Sequence, residues 1–234
     1  MNHPAELAIH SLLQSVMSGK AKVDSAVLDV VAKDVRDALS RQFSGEKRTF
    51  KLRMSNIGRK KCQLWFDKNH PEEKISDSPY FLINMILGDI IEAVFKGLLR
   101  AADVKFDDSE QVSLPLKGGH VDGTYDLVLN GKVDDVKSAS PWAYENKFID
   151  FETLQSKDSF GYVSQLVGYS KAKGVPVGGW WVVNKANGNF KYVSASGVDV
   201  KEEMEKIQNT VDYINNDEPF ERCYEPVAET YYGK

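Results

Sequence analysis

Asp126, Asp135 and Lys137 are the side chains whose types and spacing are best suited to chemistry, and all three lie in the segment from His120 to Ser140. Asn-Gly at 130–131 is typical of a two-residue hairpin turn, so the residues on either side are predicted to form adjacent antiparallel strands. Adjacent strands allow Asp126 and Asp135 to point to the same spot. Two carboxylates placed in this way can share one cation.

The spacing of Asp135 and Lys137 adds to this arrangement. They are two residues apart on a strand, so both side chains share one face while Val136 points to the core. The two carboxylates and the Val136 carbonyl are hard oxygen ligands that suit Mg²⁺, for which Mn²⁺ is expected to substitute. Such a cation polarises a phosphate and acidifies a water, and Lys137 can orient that water and counter the charge of the transition state.

Three further side chains are candidates for the same site. Glu92 lies four residues after Gly88 on a long apolar helix, and is either a further metal ligand or the partner of Lys96 at i+4. Gln165 and Tyr169 lie one helical turn apart, so they share a face. Both can donate hydrogen bonds toward a phosphate or toward Lys137; the alternative is a polar patch on a packing helix.

A basic segment separates the first two predicted helices from the rest of the chain. Between residues 46 and 61 there are seven bases and the single acid Glu46, although the chain as a whole carries a net charge of −4. A net acidic chain does not coat nucleic acid by bulk charge, but a local basic strip can hold phosphates. The candidate phosphate contacts are Arg53, Ser55, Lys60, Lys61 and Ser138; a solvated basic face is the alternative.

Hydrophobic periodicity predicts helices and short strands in alternation. The predicted helices are Pro4–Met17, Asp24–Phe43, a short helix through Phe66, a central buried helix at Tyr80–Ala102, a short helix or lid at Pro141–Phe151, Asp158–Lys173 and Asp199–Ile214. The predicted strands are 111–116, 121–129, 133–138, 177–184 and 190–196, with Trp180 and Trp181 adjacent in one strand, so that one of them is expected in the core.

These elements predict a mixed α+β fold in a single domain of residues 1–234. Residues 1–50 are expected to form a helical extension, 51–200 the core, and 201–234 a C-terminal helix and tail. The core is a central mixed sheet flanked by helices, with the site at the sheet edge where the hairpin bends.

Two cysteines, Cys62 and Cys223, are too few and too far apart in sequence for a zinc or iron–sulfur site, and a disulfide framework is not expected. No stretch has the roughly 18 apolar residues of a membrane span. These features predict a reducing, cytoplasmic setting without membrane association.

The order of the candidate motifs resembles that of the PD-(D/E)XK nuclease superfamily, and within it the RecB-type and phage exonuclease branch. The resemblance covers about residues 55–184. It is carried by the segment Ser55-Asn56-Ile57-Gly58 with Cys62, Gly88-x-x-x-Glu92, Gly123-x-x-Asp126, Asp135-x-Lys137 and Gln165-x-x-x-Tyr169. Two departures from the family pattern are that many RecB-type members have His in place of Glu92, and that the iron–sulfur members need four cysteines.

This resemblance implies a restriction-endonuclease-like core and magnesium-dependent exonucleolytic degradation of DNA in phage or bacterial recombination and repair. It implies a bacterial cell or a phage-infected host, and a single-strand annealing protein as a natural partner. The open alternatives are an endonuclease on the same scaffold, a DNA-binding module that does not cut, and an RNA nuclease.

Overall fold

A five-stranded mixed sheet with helices on both faces forms the centre of the protein, which confirms the predicted mixed α+β fold. The computed structural model describes residues 3–45, 49–73 and 78–223. Its elements are α1 (Pro4–Met17), α2 (Ser25–Gln42), α3 (Lys61–Asn69), a 3-10 turn (Pro71–Glu73), α4 (Pro79–Ala101), β1 (Phe106–Leu116), β2 (Gly119–Leu129), β3 (Lys132–Ala139), α5 (Pro141–Asn146), α6 (Phe151–Ser156), α7 (Tyr162–Lys173), β4 (Val177–Asn184), β5 (Phe190–Ser194) and α8 (Val200–Asn215).

The strands lie in the order β1-β2-β3-β4-β5, and every neighbouring pair is antiparallel except β3 and β4. The parallel pairing follows from the long connection through α5, α6 and α7, which returns the chain to the same end of the sheet. It makes β3 the middle strand. The prediction that the site lies at the sheet edge is therefore wrong, because β4 covers the side of β3 that was expected to be free.

Each face of the sheet packs against its own set of helices. On one face, Ile9 of α1 and Phe95 and Leu99 of α4 cover Leu127, Leu129, Val136 and Trp181. On the other face, α7 and the loops around α5 and α6 cover a larger core that includes Trp180. Because both faces of β4 are covered, Trp180 and Trp181 are both fully buried, whereas the alternation predicted only one in the core.

Helix α4 is central only in its second half. Phe95 and Leu99 are buried, but Tyr80, Phe81 and Ile83 in the first turns are at least half exposed. The prediction of a central buried helix at Tyr80–Ala102 is thus confirmed for the second half of the helix and wrong for its first turns. No helix in the described part of the chain has the length and apolar character needed to cross a membrane.

The C-terminal segment is fastened to α3. Cys62 and Cys223 form a disulfide across 161 residues of sequence, so the prediction that these cysteines are not paired is wrong. Trp65 donates its indole N–H to the Glu218 carbonyl at 3.0 Å, and the rings of Phe66 and Phe220 lie 5.1 Å apart. This pairing removes cysteine usage as an argument for a reducing compartment. Two of the predicted basic residues, Lys47 and Arg48, and the tail after residue 223 lie outside the described residues.

We expect Cys62→Ser to lower the free energy of unfolding by about 2–4 kcal/mol, because the disulfide closes a long loop and restricts the unfolded chain. Urea unfolding with and without reductant measures this difference. The unsubstituted protein should lose the same stability on reduction, whereas Cys62→Ser should not respond to reductant. Two titratable thiols in the unreduced protein would contradict the pairing.

Candidate active site

The candidate site lies where β2 and β3 separate. Asn130 and Gly131 both have positive φ, 52° and 72°, as a tight hairpin turn requires, and the strands then pair only from Leu129↔Lys132 to Leu127↔Asp134. Beyond this point β2 continues beside β1 and β3 beside β4. Asp126 and Asp135 are the first residues beyond the last pair. They therefore lie on either side of the point where β2 and β3 diverge, which we call the fork.

The Asp126 carboxylate bridges the fork. Its Oδ2 accepts a hydrogen bond of 2.7 Å from the Val136 backbone N–H, a donor that would otherwise lack a partner on that side. In an extended strand the N–H and C=O of one residue point to the same side, so the Val136 carbonyl also faces the fork. A carboxylate and a carbonyl oxygen are therefore brought together at this point.

The side chains of β2 do not alternate regularly between the two faces of the sheet around Asp126. Tyr125 packs in the core beside α7, whereas Leu127 packs in the core beside α1 and α4, although regular alternation would put both on one face. The side chain between them is thus free to point along the sheet toward β3. Val136 is buried against the α1 and α4 side, as its position between Asp135 and Lys137 predicts.

Asp135 and Lys137 share the opposite face of β3. The Lys137 ammonium lies 2.6 Å from the buried Oδ2 of Asp135, so the two side chains form an ion pair. The neighbouring Asp134 is equally buried, at 1% exposure for each residue. Asp134, however, receives hydrogen bonds from the Gly179 N–H, the Trp181 indole and the Tyr192 hydroxyl. Three neutral donors thus hold Asp134 in the sheet, whereas Asp135 is paired with the charged Lys137.

Glu92 approaches the fork from α4. The helix passes close to β3 at Gly88, where an added Cβ would lie 3.6 Å from Ser138 Oγ, an ordinary contact that does not demand glycine. The Lys96 ammonium is 3.6 Å from Glu92 Oε1, so the predicted pairing at i+4 exists. Glu92 is also close enough to Asp126 and Asp135 for their charges to act on one another. Its position is thus compatible with both predicted roles.

The charges of the site are unbalanced. Burial, reinforced by the charges of Glu92 and Asp135, raises the pKa of Asp126 well above its usual range. Burial also raises the pKa of Asp135, although Lys137 opposes the shift. For Lys137, burial alone would lower the pKa, but Asp135 and Asp126 outweigh it and raise the pKa above the usual lysine value. Lys137 therefore stays protonated, and can donate hydrogen bonds but cannot accept a proton.

Gln165 and Tyr169 of α7 support Lys137. Lys137 Nζ donates to Gln165 Oε1 at 3.2 Å, and Gln165 Nε2 donates to the Tyr169 hydroxyl at 3.3 Å. The prediction that Gln165 donates toward Lys137 has the wrong direction, because an ammonium has no acceptor. Burial raises the pKa of Tyr169, so its hydroxyl stays neutral. The pair holds the ammonium in place.

Two residues near the site carried no signal in the sequence. Lys137 Nζ lies 4.9 Å from the centre of the Tyr162 ring, and Lys147 Nζ lies 4.4 Å from the same centre. Tyr162 begins α7, whereas Lys147 follows α5, so no local spacing links them to Asp135 or Lys137. Only the tertiary fold brings them together.

The predicted phosphate contacts are dispersed. Arg53 and Ser55 are exposed beside the start of β2, where the Met54 N–H donates to the Asp122 carbonyl. Lys60 precedes α3, the Lys61 ammonium lies 5.4 Å from the centre of the Tyr213 ring, and Ser138 is half-buried beside Gly88. The structure thus brings Ser138 near the fork, but turns Lys61 toward α8.

The donor set at the fork fits a hard divalent cation. It comprises the Asp135 carboxylate, the second oxygen of Asp126 and the Val136 carbonyl, with Glu92 nearby. The three carboxylates do not lie within 4.8 Å of one another; among the described residues, only the exposed group His70, Glu72 and Glu73 does. The sequence showed no ligand pattern at His70. The negative charge of the carboxylates exceeds the single positive charge of Lys137, and a bound cation would offset this excess.

Comparison with known proteins adds little to this description. No family model matches the chain, and no curated protein matches it. A solved structure named "Crystal structure of SSO0001" has a TM-score of 0.45 and 12% sequence identity to this chain, and the match covers 78% of this chain and 85% of that one. At this TM-score the similarity supports no conclusion about fold or function.

We expect Asp126→Asn to raise the stability of the protein at pH 8. A raised pKa in the folded state means that folding favours the protonated acid, so its contribution is greatest below the usual aspartate pKa near 4 and is lost as the pH rises through the folded value. Asparagine can still accept the Val136 N–H without that charge. Urea midpoints at pH 5 and pH 8 measure the effect.

Asp107→Asn, at an exposed position of β1, is the matched control and should not raise the urea midpoint at pH 8. A lower midpoint for Asp126→Asn than for the unsubstituted protein at pH 8 would contradict the charge imbalance.

Proposed function

We propose that this protein is a magnesium-dependent deoxyribonuclease that degrades DNA from its ends. The observation that supports this most strongly is the meeting of two carboxylates, those of Asp126 and Asp135, with the single ammonium of Lys137 at the β2–β3 fork. The carboxylates carry more negative charge than Lys137 offsets, and burial raises the pKa of both. Carboxylate oxygens are the ligands that Mg²⁺ prefers in proteins.

Asp126, Asp135 and the Val136 carbonyl would hold the cation, with Glu92 as a further ligand. When bound, Mg²⁺ or Mn²⁺ would polarise a phosphate oxygen and acidify a water. Lys137 is a permanent cation here, so its part is to orient the attacking water and to stabilise the charge that grows on the phosphate oxygens. Gln165, braced by Tyr169, keeps the ammonium directed at that point.

DNA is the proposed substrate, and its ends are the proposed site of attack, because of the order of the sequence motifs. Their order resembles that of RecB-type and phage exonucleases, which also suggests a single-strand annealing protein as a partner and a bacterial or phage-infected cytoplasm as the setting. Exposed Arg53 and Ser55 supply polar contacts for a phosphate backbone near β2, whatever the net charge of the chain.

Asp126→Asn, Asp135→Asn and Lys137→Met should each reduce Mg²⁺-dependent digestion of end-labelled linear DNA by about 100-fold or more, because each removes part of the transition-state stabilisation. The measurement is release of label from blunt, overhanging and single-stranded substrates, with circular dichroism to verify the fold. Asp107→Asn and Lys105→Met are exposed controls that should retain activity.

Activity that survives two of the three site substitutions would refute the assignment. Nicking of closed circular DNA as fast as linear DNA would favour an endonuclease, and preference for RNA in direct competition an RNA nuclease. Binding that is indifferent to Mg²⁺, without cleavage and without loss in Asp135→Asn, would indicate a DNA-binding module.

A further inference from the structure

Lys147 is a buried cation whose acidic partner is distant. The residue is 6% exposed. Its ion pair with Asp158 has a length of 3.8 Å, which is beyond ordinary hydrogen-bond distance. Burying an ammonium with only a distant acid beside it is costly, so such a group needs a reason to be there.

Asp158 is already engaged elsewhere. Its two oxygens accept the backbone N–H groups of Gly161 at 3.0 Å and Val163 at 2.9 Å, at the start of α7. The aspartate therefore accepts N–H groups in the segment that leads into this helix. Its charge is shared between the helix start and Lys147, so a second anion beside the ammonium would be favoured.

Lys147 and Lys137 face the same aromatic ring, that of Tyr162. Their ammonium groups lie 4.4 Å and 4.9 Å from the centre of the Tyr162 ring. Arg59 is near enough for its charge to act on the Tyr162 hydroxyl, and its Nε is buried without a hydrogen-bond partner among the described residues. Burial, with the repulsion of Lys137, lowers the pKa of Lys147. An anion beside Tyr162 would relieve this repulsion.

A line of aromatic rings leads from this region to the surface. Tyr162 stacks on Phe160 with ring centres 5.6 Å apart and an angle of 15° between the planes. Phe160 is 41% exposed, and Lys147 Nζ lies 5.1 Å from its ring centre. An exposed ring next to a cation is suited to a nucleotide, with the base on the ring and the phosphate on the ammonium.

We propose that Lys147 binds the phosphate next to the one that is cut, with Phe160 available to the adjoining base. The proposal rests on the proposed nuclease function and extends its site by one nucleotide. Its ligand is a backbone phosphate of the substrate strand, held by charge and not by base sequence. The bound phosphate would thus be a second anion for the Lys147 ammonium, in addition to Asp158.

The test is the salt dependence of DNA binding by the full chain in Ca²⁺, with fluorescent single-stranded DNA as the probe. Lys147→Met should weaken binding about tenfold, the effect of losing one charge-assisted hydrogen bond, and should make the slope of log K against log salt shallower by about 0.7. Lys147→Arg should keep most of the slope. Lys105→Met, at an 89% exposed side chain, is the matched control and should behave as the unsubstituted chain.

A purely structural role would give a different result. If Lys147 served only as the partner of Asp158, Lys147→Met would lower the stability and leave the salt slope unchanged, and the proposal would be overturned. If Lys147→Met does not fold, Lys147→Gln decides: it should show the same shallower slope, and a slope equal to that of the unsubstituted protein would overturn the proposal. Failure of the unsubstituted chain to bind DNA would instead overturn the proposed function.

Discussion

One hydrogen bond, from the Val136 N–H to the Asp126 carboxylate, fixes the geometry on which the site depends. It spans the fork between β2 and β3 and takes the place of a backbone ladder bond at 2.7 Å. Because it holds the strands at a defined separation, the Val136 carbonyl and the Asp135 carboxylate face a common space. Without this hydrogen bond, the distance between the two carboxylates would not be fixed, because the strands that carry them diverge.

The unbalanced charges at the fork lower the stability of the folded protein. Three acids and Lys137 lie together with too little positive charge, and the pKa values of Asp126, Asp135 and Glu92 are all raised. Such an arrangement is typical of sites that function with a ligand, because several acids with raised pKa values rarely cluster at purely structural positions. Asp134, one residue from Asp135, is by contrast held by hydrogen bonds from three neutral donors, and burial raises its pKa to about 7.

The sequence predicted what local signals determine. The Asn130-Gly131 turn, the alternation on β3 and the start and end of α1 follow from near neighbours, and the spacing of Asp135 and Lys137 follows from the strand period. What it could not predict depends on distant partners: the cover of β3 by β4, the reversed facing at Asp126, the exposure of the first half of α4, and the disulfide. Lys147 falls in the same class, since only tertiary contacts bring it to Tyr162.

The most direct test of the central claim is a crystal structure of the protein with Mn²⁺, located by anomalous scattering. Mn²⁺ prefers the same carboxylate and carbonyl oxygens as Mg²⁺. The account predicts an ion within bonding distance of the Asp126 and Asp135 carboxylates and the Val136 carbonyl. Manganese bound only at His70, Glu72 and Glu73, or absent from the fork at saturating concentration, would contradict it.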